Sequence, residues 1–316
     1  MTLLAVDDLQ ISVRGGRAVD GVSLTLEPGE VLALMGESGA GKSLTGAAIV
    51  GLLPQGARMT GGRIMLAGER IDELDSAGWR RVRGRRISAV FQDPLAALDP
   101  LQTIGAQLAE TLAAHRPQLS RTMLRDRVVD WLDAVSLPAS RFSAYPHELS
   151  GGERQRIALA LGLCPGPEIL IADEPTTALD VPLRARLAVL LRRLARGQGS
   201  TVLLISHDVR TVAAAADRVA VMYAGRIVET GPAAEVLAAP RHPYVAGLLA
   251  SMPGLAERKR RLPAIAGTMP PPGAVPPGCG FRLRCSRASA LCQAERPALP
   301  VSGAACFHPL PGPADG

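Results

Sequence analysis

Residues 31–43 read VLALMGESGAGKS: five consecutive apolar positions, then a glycine-rich turn ending in lysine and serine. Nothing else in the chain restricts the fold as tightly. A run with no polar face belongs to a strand covered on both sides, as in a parallel sheet flanked by helices. The turn fits G-x-x-x-x-G-K-S/T with Gly36, Glu37, Ser38, Gly39, Ala40, Gly41, Lys42 and Ser43. In that pattern the glycines let backbone N–H groups wrap a β-phosphate, the lysine reaches the β and γ oxygens, and the serine can ligate Mg2+. Such a loop works at a strand-to-helix junction, so a strand over 31–36 and a helix from Lys42 to about Leu53 are predicted. Composition isolates the same lysine: of 35 basic residues, only Lys42 and Lys259 are lysines. A compact ammonium is not interchangeable with a planar guanidinium, which marks Lys42 for chemistry before any motif is invoked.

Further buried strands are predicted at ISAVF (87–91), EILIAD (168–173) and TVLLIS (201–206), and a hairpin within 219–230. Alternation in LQISVR and GVSLTL makes residues 2–30 strands and turns. Residues 101–165 read as mainly helical. Strands alternating with helices give an α/β class with a mostly parallel core, interrupted by that helical insert. The residues at the strand ends carry the chemistry. Asp173 is placed to hold Mg2+, directly or through water, and Glu174 to polarise a water for in-line attack on a γ-phosphate. His207 follows TVLLIS, where it can sense the γ-phosphate edge. Gln92 follows ISAVF, within reach of Mg2+ or the attacking water. Leu44 completes the nucleotide-binding set.

A second phosphate element lies at LSGGE (149–153). Ser150 suits an N-cap, and Gly151 and Gly152 allow a ligand close to the main chain. The helix begun there, which includes Glu153, presents free N–H groups and a partial positive charge to an anion. One chain with two phosphate elements requires a reason.

With these elements in this order, the chain resembles the nucleotide-binding subunits of ATP-binding cassette (ABC) transporters over about residues 3–255. The matches are GESGAGKS (36–43), Gln92 in VFQDP, LSGGERQR (149–156), ILIADEP (169–175), the TALD turn (177–180) and SHD (206–208). The resemblance implies an ATPase with a P-loop, RecA-like core and an N-terminal antiparallel β subdomain within residues 1–240, the helical subdomain falling at about 99–165. It also implies a head-to-tail dimer in which LSGGE caps the γ-phosphate of ATP bound to the facing subunit, which would account for two phosphate elements. Glu174 becomes the catalytic base, His207 the switch and Asp180 a residue of the dimer seam, while Gln92 and the helical insert face a membrane partner. His242-Pro243-Tyr244 and the later cysteines are similar to the C-terminal extension, here 241–316, of dipeptide, oligopeptide and nickel importers. That group implies a non-identical sister ATP-binding subunit, two membrane permease subunits and an external solute-binding protein. It places the chain peripherally on the cytoplasmic face of the inner membrane. The alternative class is a non-transport ABC ATPase of DNA repair or translation, but the sequence shows no second cassette, coiled coil or nucleic-acid module. Such subunits usually stack adenine on an early aromatic residue. Here none precedes Trp79, which leaves stacking by Arg14 or Arg17, or packing by Val19.

Composition bounds the partners. The net charge of +6 and the run RRVRGRR (80–86) invite a nucleic-acid reading, but aromatics are only 3% of the chain. That is too few for base-stacking platforms, so the run is expected to be a solvated surface and no nucleic-acid partner is expected. No apolar run approaches a membrane span, and the acidic start MTLLAVDD is not a signal peptide. Residues 263–278, rich in Pro and Gly, are expected to be extended. Cys279, Cys285, Cys292 and Cys306 follow, spaced C-x5-C-x6-C-x13-C. This lacks the C-x2-C pairs of structural zinc, and a reducing cytosol disfavours disulfides. Four thiolates are the usual complement of an iron–sulfur (4Fe–4S) cluster, with zinc or free thiols as the alternatives. Cys164 is expected to be buried packing.

Overall fold

Two sheets carry the fold. The computed structural model describes residues 2–93, 97–176, 181–252, 264–301 and 303–312, without the side chains of 181–183. The strands are β1 (Leu4–Val13), β2 (Gly16–Leu26), β3 (Val31–Met35), β4 (Arg58–Leu66), β5 (Glu69–Arg70), β6 (Ile87–Val90), β7 (Ile169–Asp173), β8 (Thr201–Ile205), β9 (Arg218–Tyr223), β10 (Arg226–Pro232) and β11 (Gly303–Ala304). The helices are α1 (Lys42–Ile49), α2 (Ser76–Val82), α3 (Ile104–His115), α4 (Arg121–Ala134), α5 (Gly151–Leu163), α6 (Val181–Gln198), α7 (Val209–Ala215), α8 (Ala233–Ala238), α9 (Pro243–Ala250) and α10 (Ala290–Ala294). An antiparallel sheet runs β2-β1-β4-β5, and a seven-stranded sheet runs β11-β10-β9-β3-β8-β7-β6. In the second, β6, β7, β8, β3 and β9 are parallel, the hairpin strand β10 pairs antiparallel with β9, and β11 pairs antiparallel with β10 at the edge.

The apolar runs predicted from sequence are the parallel strands, and both of their faces are covered. Val31, Ala33, Met35, Leu170, Ala172, Val202 and Leu204 face one core, shared with α3, α4, α5 and α6. Leu32, Leu34, Ile169, Ile171, Leu203 and Ile205 face the other, shared with the antiparallel sheet and α1. Register then decides where function can sit. Leu34 pairs with Ile205, Asp173 with Ile205, and Val90 with Ala172. The residues that follow β3, β6, β7 and β8 therefore emerge together at one carboxyl edge, where open parallel sheets bind ligands.

Two expectations change. The helix after the phosphate loop ends at Ile49 rather than near Leu53. Gly51, with φ +65, turns the chain away, and a Cβ there would lie 2.3 Å from the Trp79 ring. The arginine run is not simply a solvated face either. Arg83 donates to the carbonyls of Val50 (2.9 Å) and Gly51, and stacks on Trp79. Arg86 pairs with Glu168 and Glu69. The 101–165 block is the expected helical one, α3, α4 and α5 with two 3-10 turns between the last two.

Residues after 240 pack back onto this body. β11 extends the larger sheet by pairing Ala304 with Glu229. Of the stretch expected to be extended, residue 263 lies outside the described residues; the rest forms turns and irregular chain. Met269 within it packs against both cores. Among the described residues no helix is long and apolar enough to cross a membrane.

Candidate active site

The phosphate loop leaves β3 at Gly36, and its glycines are required by its own surroundings. A Cβ at Gly36 (φ +148) would lie 2.2 Å from the Met222 carbonyl oxygen, and one at Gly41 (φ +104) 2.9 Å from the Ala18 oxygen. Lys42 opens α1 and is 6% exposed. Its Nζ donates to the carbonyls of Gly36 (2.9 Å) and Glu37 (3.0 Å). Burial pulls its pKa down, opposed by the charges of Glu174, Asp173 and Glu37. A buried ammonium held only by carbonyls and nearby acids is poised for a polyanion, which would restore the charged form's advantage.

At the same edge the Ser43 hydroxyl donates to Asp173 Oδ1 at 3.1 Å. Burial pushes the Asp173 carboxyl up, an effect the Ser43 hydrogen bond opposes. Glu174 is 8% exposed and has φ +50, in the left-handed region. Such backbone is costly for a residue with a side chain and concentrates at functional sites. Its N–H is anchored on the Ile205 carbonyl at 2.9 Å. Its Oε1 lies 2.8 Å from His207 Nδ1, and the Glu174 hydrogen bond raises the His207 pKa. Gln92 is exposed two residues beyond β6. Glu37, Ser38, Lys42, Ser43, Leu44, Gln92, Glu174 and His207 all line one open cavity of about 600 Å3. Its walls thus hold the phosphate loop and an ammonium, the Ser43 hydroxyl with Asp173 bonded to it, and a carboxylate–imidazole pair.

The LSGGE turn stands apart from that cavity. Ser150 caps α5, accepting from Glu153 N at 3.3 Å, while Glu153 Oε2 accepts from Ser150 N at 2.8 Å, a reciprocal capping box. Glu153 is also paired with Arg141 at 2.8 Å, so it serves its own chain. A Cβ at Gly151 would meet nothing within 4 Å. Asp180 lies outside the described residues. Val19 is fully buried in the core, so it is not available to a base; Val13 and Ala18 line the cavity instead.

Sequence reasoning missed how the C-terminal segment meets the loop. His242 Nδ1 caps α9 by accepting from Tyr244 N at 3.0 Å, with Pro243 opening the helix. Tyr244, fully buried, accepts at Oη from the Glu37 N–H at 2.9 Å. Arg284 pairs with the Glu37 carboxylate at 3.1 Å. Leu248, Met252 and Pro272 also line the cavity. The only sequence signal was His242-Pro243-Tyr244 itself, which names a tail without showing what it touches. Cys279, Cys285, Cys292 and Cys306 line a second, small cavity with His242 and His308. Burial pushes the Cys279 and Cys306 thiols up. Among the described residues no group of three or more His, Cys, Asp or Glu side chains is placed to hold a metal ion, so the cluster expectation gains no support there. Cys164, buried and pushed up to about 12, is inert packing as expected.

A phosphate loop, an acid pair and a histidine at the carboxyl edge of a parallel sheet define a P-loop nucleoside triphosphatase. The model of the ABC transporter family matches residues 19–177, and that of the oligopeptide/dipeptide transporter C-terminal region matches 228–292. A putative peptide import ATP-binding protein of Brucella abortus (strain 2308) is 44% identical, covering 95% of this chain and 92% of that one. The dipeptide transport ATP-binding protein DppD of Escherichia coli (strain K12) is 39% identical, covering 98% of each. Among solved structures, the dimeric post-hydrolysis state of the ATP-binding cassette MJ0796 bound to ADP and Pi aligns with a TM-score of 0.65 at 27% identity, over 73% of this chain and 98% of that one. The chain belongs to the ABC transporter family, as an ATP-binding subunit with ATPase chemistry.

Proposed function

We propose that this chain powers uptake of dipeptides, oligopeptides or a related solute such as nickel, from the cytoplasmic face of the inner membrane. It would act with a sister ATP-binding subunit, two permease subunits and a solute-binding protein. The observation that carries the reading is the junction of the two matched regions: the phosphate loop that defines an ATPase is held at Glu37 by Tyr244 and Arg284 of the segment matching peptide transporters. Within the site, the loop N–H groups and Lys42 hold the triphosphate. Glu174 takes the proton of the attacking water, and His207 holds Glu174 and reports on the γ-phosphate. Ser43 and Asp173, with Gln92 beside them, offer the hard oxygens that suit Mg2+, which supplies charge neutralisation on the phosphates. Ser150, Gly151 and Gly152, turned away from this cavity, act on the ATP of the facing subunit, with Asp180 at the seam. A strain lacking the chain should lose uptake of labelled di- and oligopeptides. Wild type should restore it and Glu174→Gln should not; undiminished uptake without the chain would sink the assignment.

The iron–sulfur reading of the tail rests on donor chemistry. Four thiols line one cavity, and a cluster, being larger than a single ion, asks for thiols set wider apart. Cys279, Cys285, Cys292 and Cys306 would hold it, and its role would be to staple a tail poor in apolar residues. Anaerobically purified chain should contain iron and acid-labile sulfide and melt at a lower temperature once they are removed. Iron-free protein with four intact thiols and an unchanged melting temperature would end that reading.

A further inference from the structure

Part of the lining of the nucleotide cavity is not used by the phosphate chemistry. The reactive groups are Lys42, Ser43, Glu174 and His207. Val13, Ala18 and Pro272 also line the cavity, and they are apolar. Val13 pairs with Gly16 across the β1–β2 turn. The tail lies directly on that turn: a Cβ on Gly16 (φ +135) would sit 2.5 Å from Gly273 Cα, and one on Gly273 would sit 2.1 Å from the Gly15 carbonyl oxygen. Main chain packed this closely on main chain at both glycines leaves no room for a side chain on either partner. The same tail is fixed at two further points. Met269 comes within 3.2 Å of the Cβ position at Gly39 in the phosphate loop. Arg284 reaches Glu37 while also donating to the Ala266 carbonyl at 2.9 Å. The first strands offer no aromatic ring to a base, and the tail occupies the place beside their turn.

We infer that Pro272, held in place by the packing of Met269 and Gly273 on the phosphate loop and the β1–β2 turn, is part of the ATP site and forms with Val13 and Ala18 the apolar wall against which the nucleotide base packs. The reading rests on the ATPase assignment and adds to it. The phosphates are held by one part of the chain, and the base by a contact between its beginning and its end. Pro272 is the tail's contact with the cavity, and the Gly15–Gly16 turn is its seat.

The test separates base from phosphate by using magnesium tripolyphosphate, which has no base, beside MgATP on the full-length chain. Pro272→Ala should raise the Kd for MgATP about three- to tenfold, the scale of a lost apolar contact. Gly16→Ala, which displaces the tail instead of trimming it, should raise it about tenfold or more. Binding of tripolyphosphate should stay within about twofold for both. If Gly16→Ala does not fold, Pro272→Ala alone decides. Equal loss for the two ligands, or unchanged MgATP binding by Pro272→Ala, overturns the wall. Wild type that binds neither ligand, or Lys42→Ala that weakens neither, would instead overturn the phosphate-loop reading beneath it.

Discussion

Two glycine-rich turns in this chain precede helices, yet their glycines have different surroundings. In the phosphate loop the demand comes from inside: at Gly36 a Cβ would meet the Met222 carbonyl at 2.2 Å. At LSGGE the fold makes no such demand: a Cβ on Gly151 would meet nothing within 4 Å. The polar groups divide in the same way. Lys42, Ser43, Asp173, Glu174 and His207 are bonded to one another or to the loop around one cavity. Ser150 and Glu153 satisfy each other, with Ser150 exposed and Gly151 and Gly152 half-buried. No contact within the described residues accounts for a glycine at position 151, and the proposed role on the facing subunit's ATP supplies a reason for it. The contrast is thus between a phosphate loop enclosed by its own chain and a turn that, in the proposed function, serves the facing subunit.

The largest test of that contrast is Glu174→Gln. If the first cavity contains the chemistry, turnover should fall about 10^2–10^4-fold, the usual contribution of a positioned base, while nucleotide binding survives. Phosphate release and equilibrium binding measured on the same preparation decide it, and brisk hydrolysis would remove Glu174 from its role. The glycines come next. Gly36→Ala should destabilise the chain by about 2–4 kcal/mol through strain and overlap and abolish nucleotide binding. Gly151→Ala should leave stability within about 0.5 kcal/mol, or improve it by helix propensity. It should also leave ATP binding by the isolated chain unchanged, yet slow the assembled transporter about 10–100-fold by crowding the partner's phosphate. If Gly151→Ala instead weakens nucleotide binding by the isolated chain, the turn does not serve the facing subunit and the comparison fails.

What the sequence made legible follows the range of the contacts involved. The phosphate loop, the acid pair and His207 were readable because each is a short pattern at the end of an apolar strand, and parallel register brings strand ends together. The capping Ser150 was readable for the same local reason. Val19, one of the three alternatives for the base, is withdrawn from the cavity because alternation breaks in β2. Ile11 pairs with Val19 and Ser12 with Arg17, so Ala18 is the extra residue of a bulge. The bulge sends Val19 inward and puts Ala18 on the cavity wall. The tail was least legible. Its Pro- and Gly-rich composition reads as linker, but Gly273 is required for close packing on Gly16, and Glu37 meets Arg284 across 247 positions. No window of sequence contains both partners of such a contact.

Arg284 therefore gives a test of intermediate size. Its side chain is only 7% exposed, while Glu37 is 27% exposed, so the pair is partly screened. Arg284→Ala should cost about 1–3 kcal/mol of stability, the scale of a charged hydrogen bond lost with its partner left behind. The KM for ATP should rise several-fold with kcat little changed, because Glu37 supports Lys42 through its carbonyl and touches no reacting atom. Arg284→Lys should rescue in part. A fall in kcat at constant KM would assign Arg284 to the chemistry and dissolve the distinction between cradle and brace.

The smallest effect expected is a titration. The Glu174 hydrogen bond and charge raise the His207 pKa above its usual value, against burial and the charges of Lys42 and Arg184. A raised imidazole pKa means that the pair's contribution to stability is fully present below the unfolded value of about 6.5 and is lost as pH rises through the folded one. His207 is half exposed, so the loss should be modest. Glu174→Gln removes the charge but keeps an acceptor, so the His207 midpoint, followed by NMR of the ring, should fall without reverting fully. The pH dependence of stability from about pH 6.5 upward through neutral should flatten with it. An unchanged midpoint would mean that the imidazole is held by something other than Glu174, and the cavity's reacting groups would lose the internal bonding that sets them apart from the LSGGE turn.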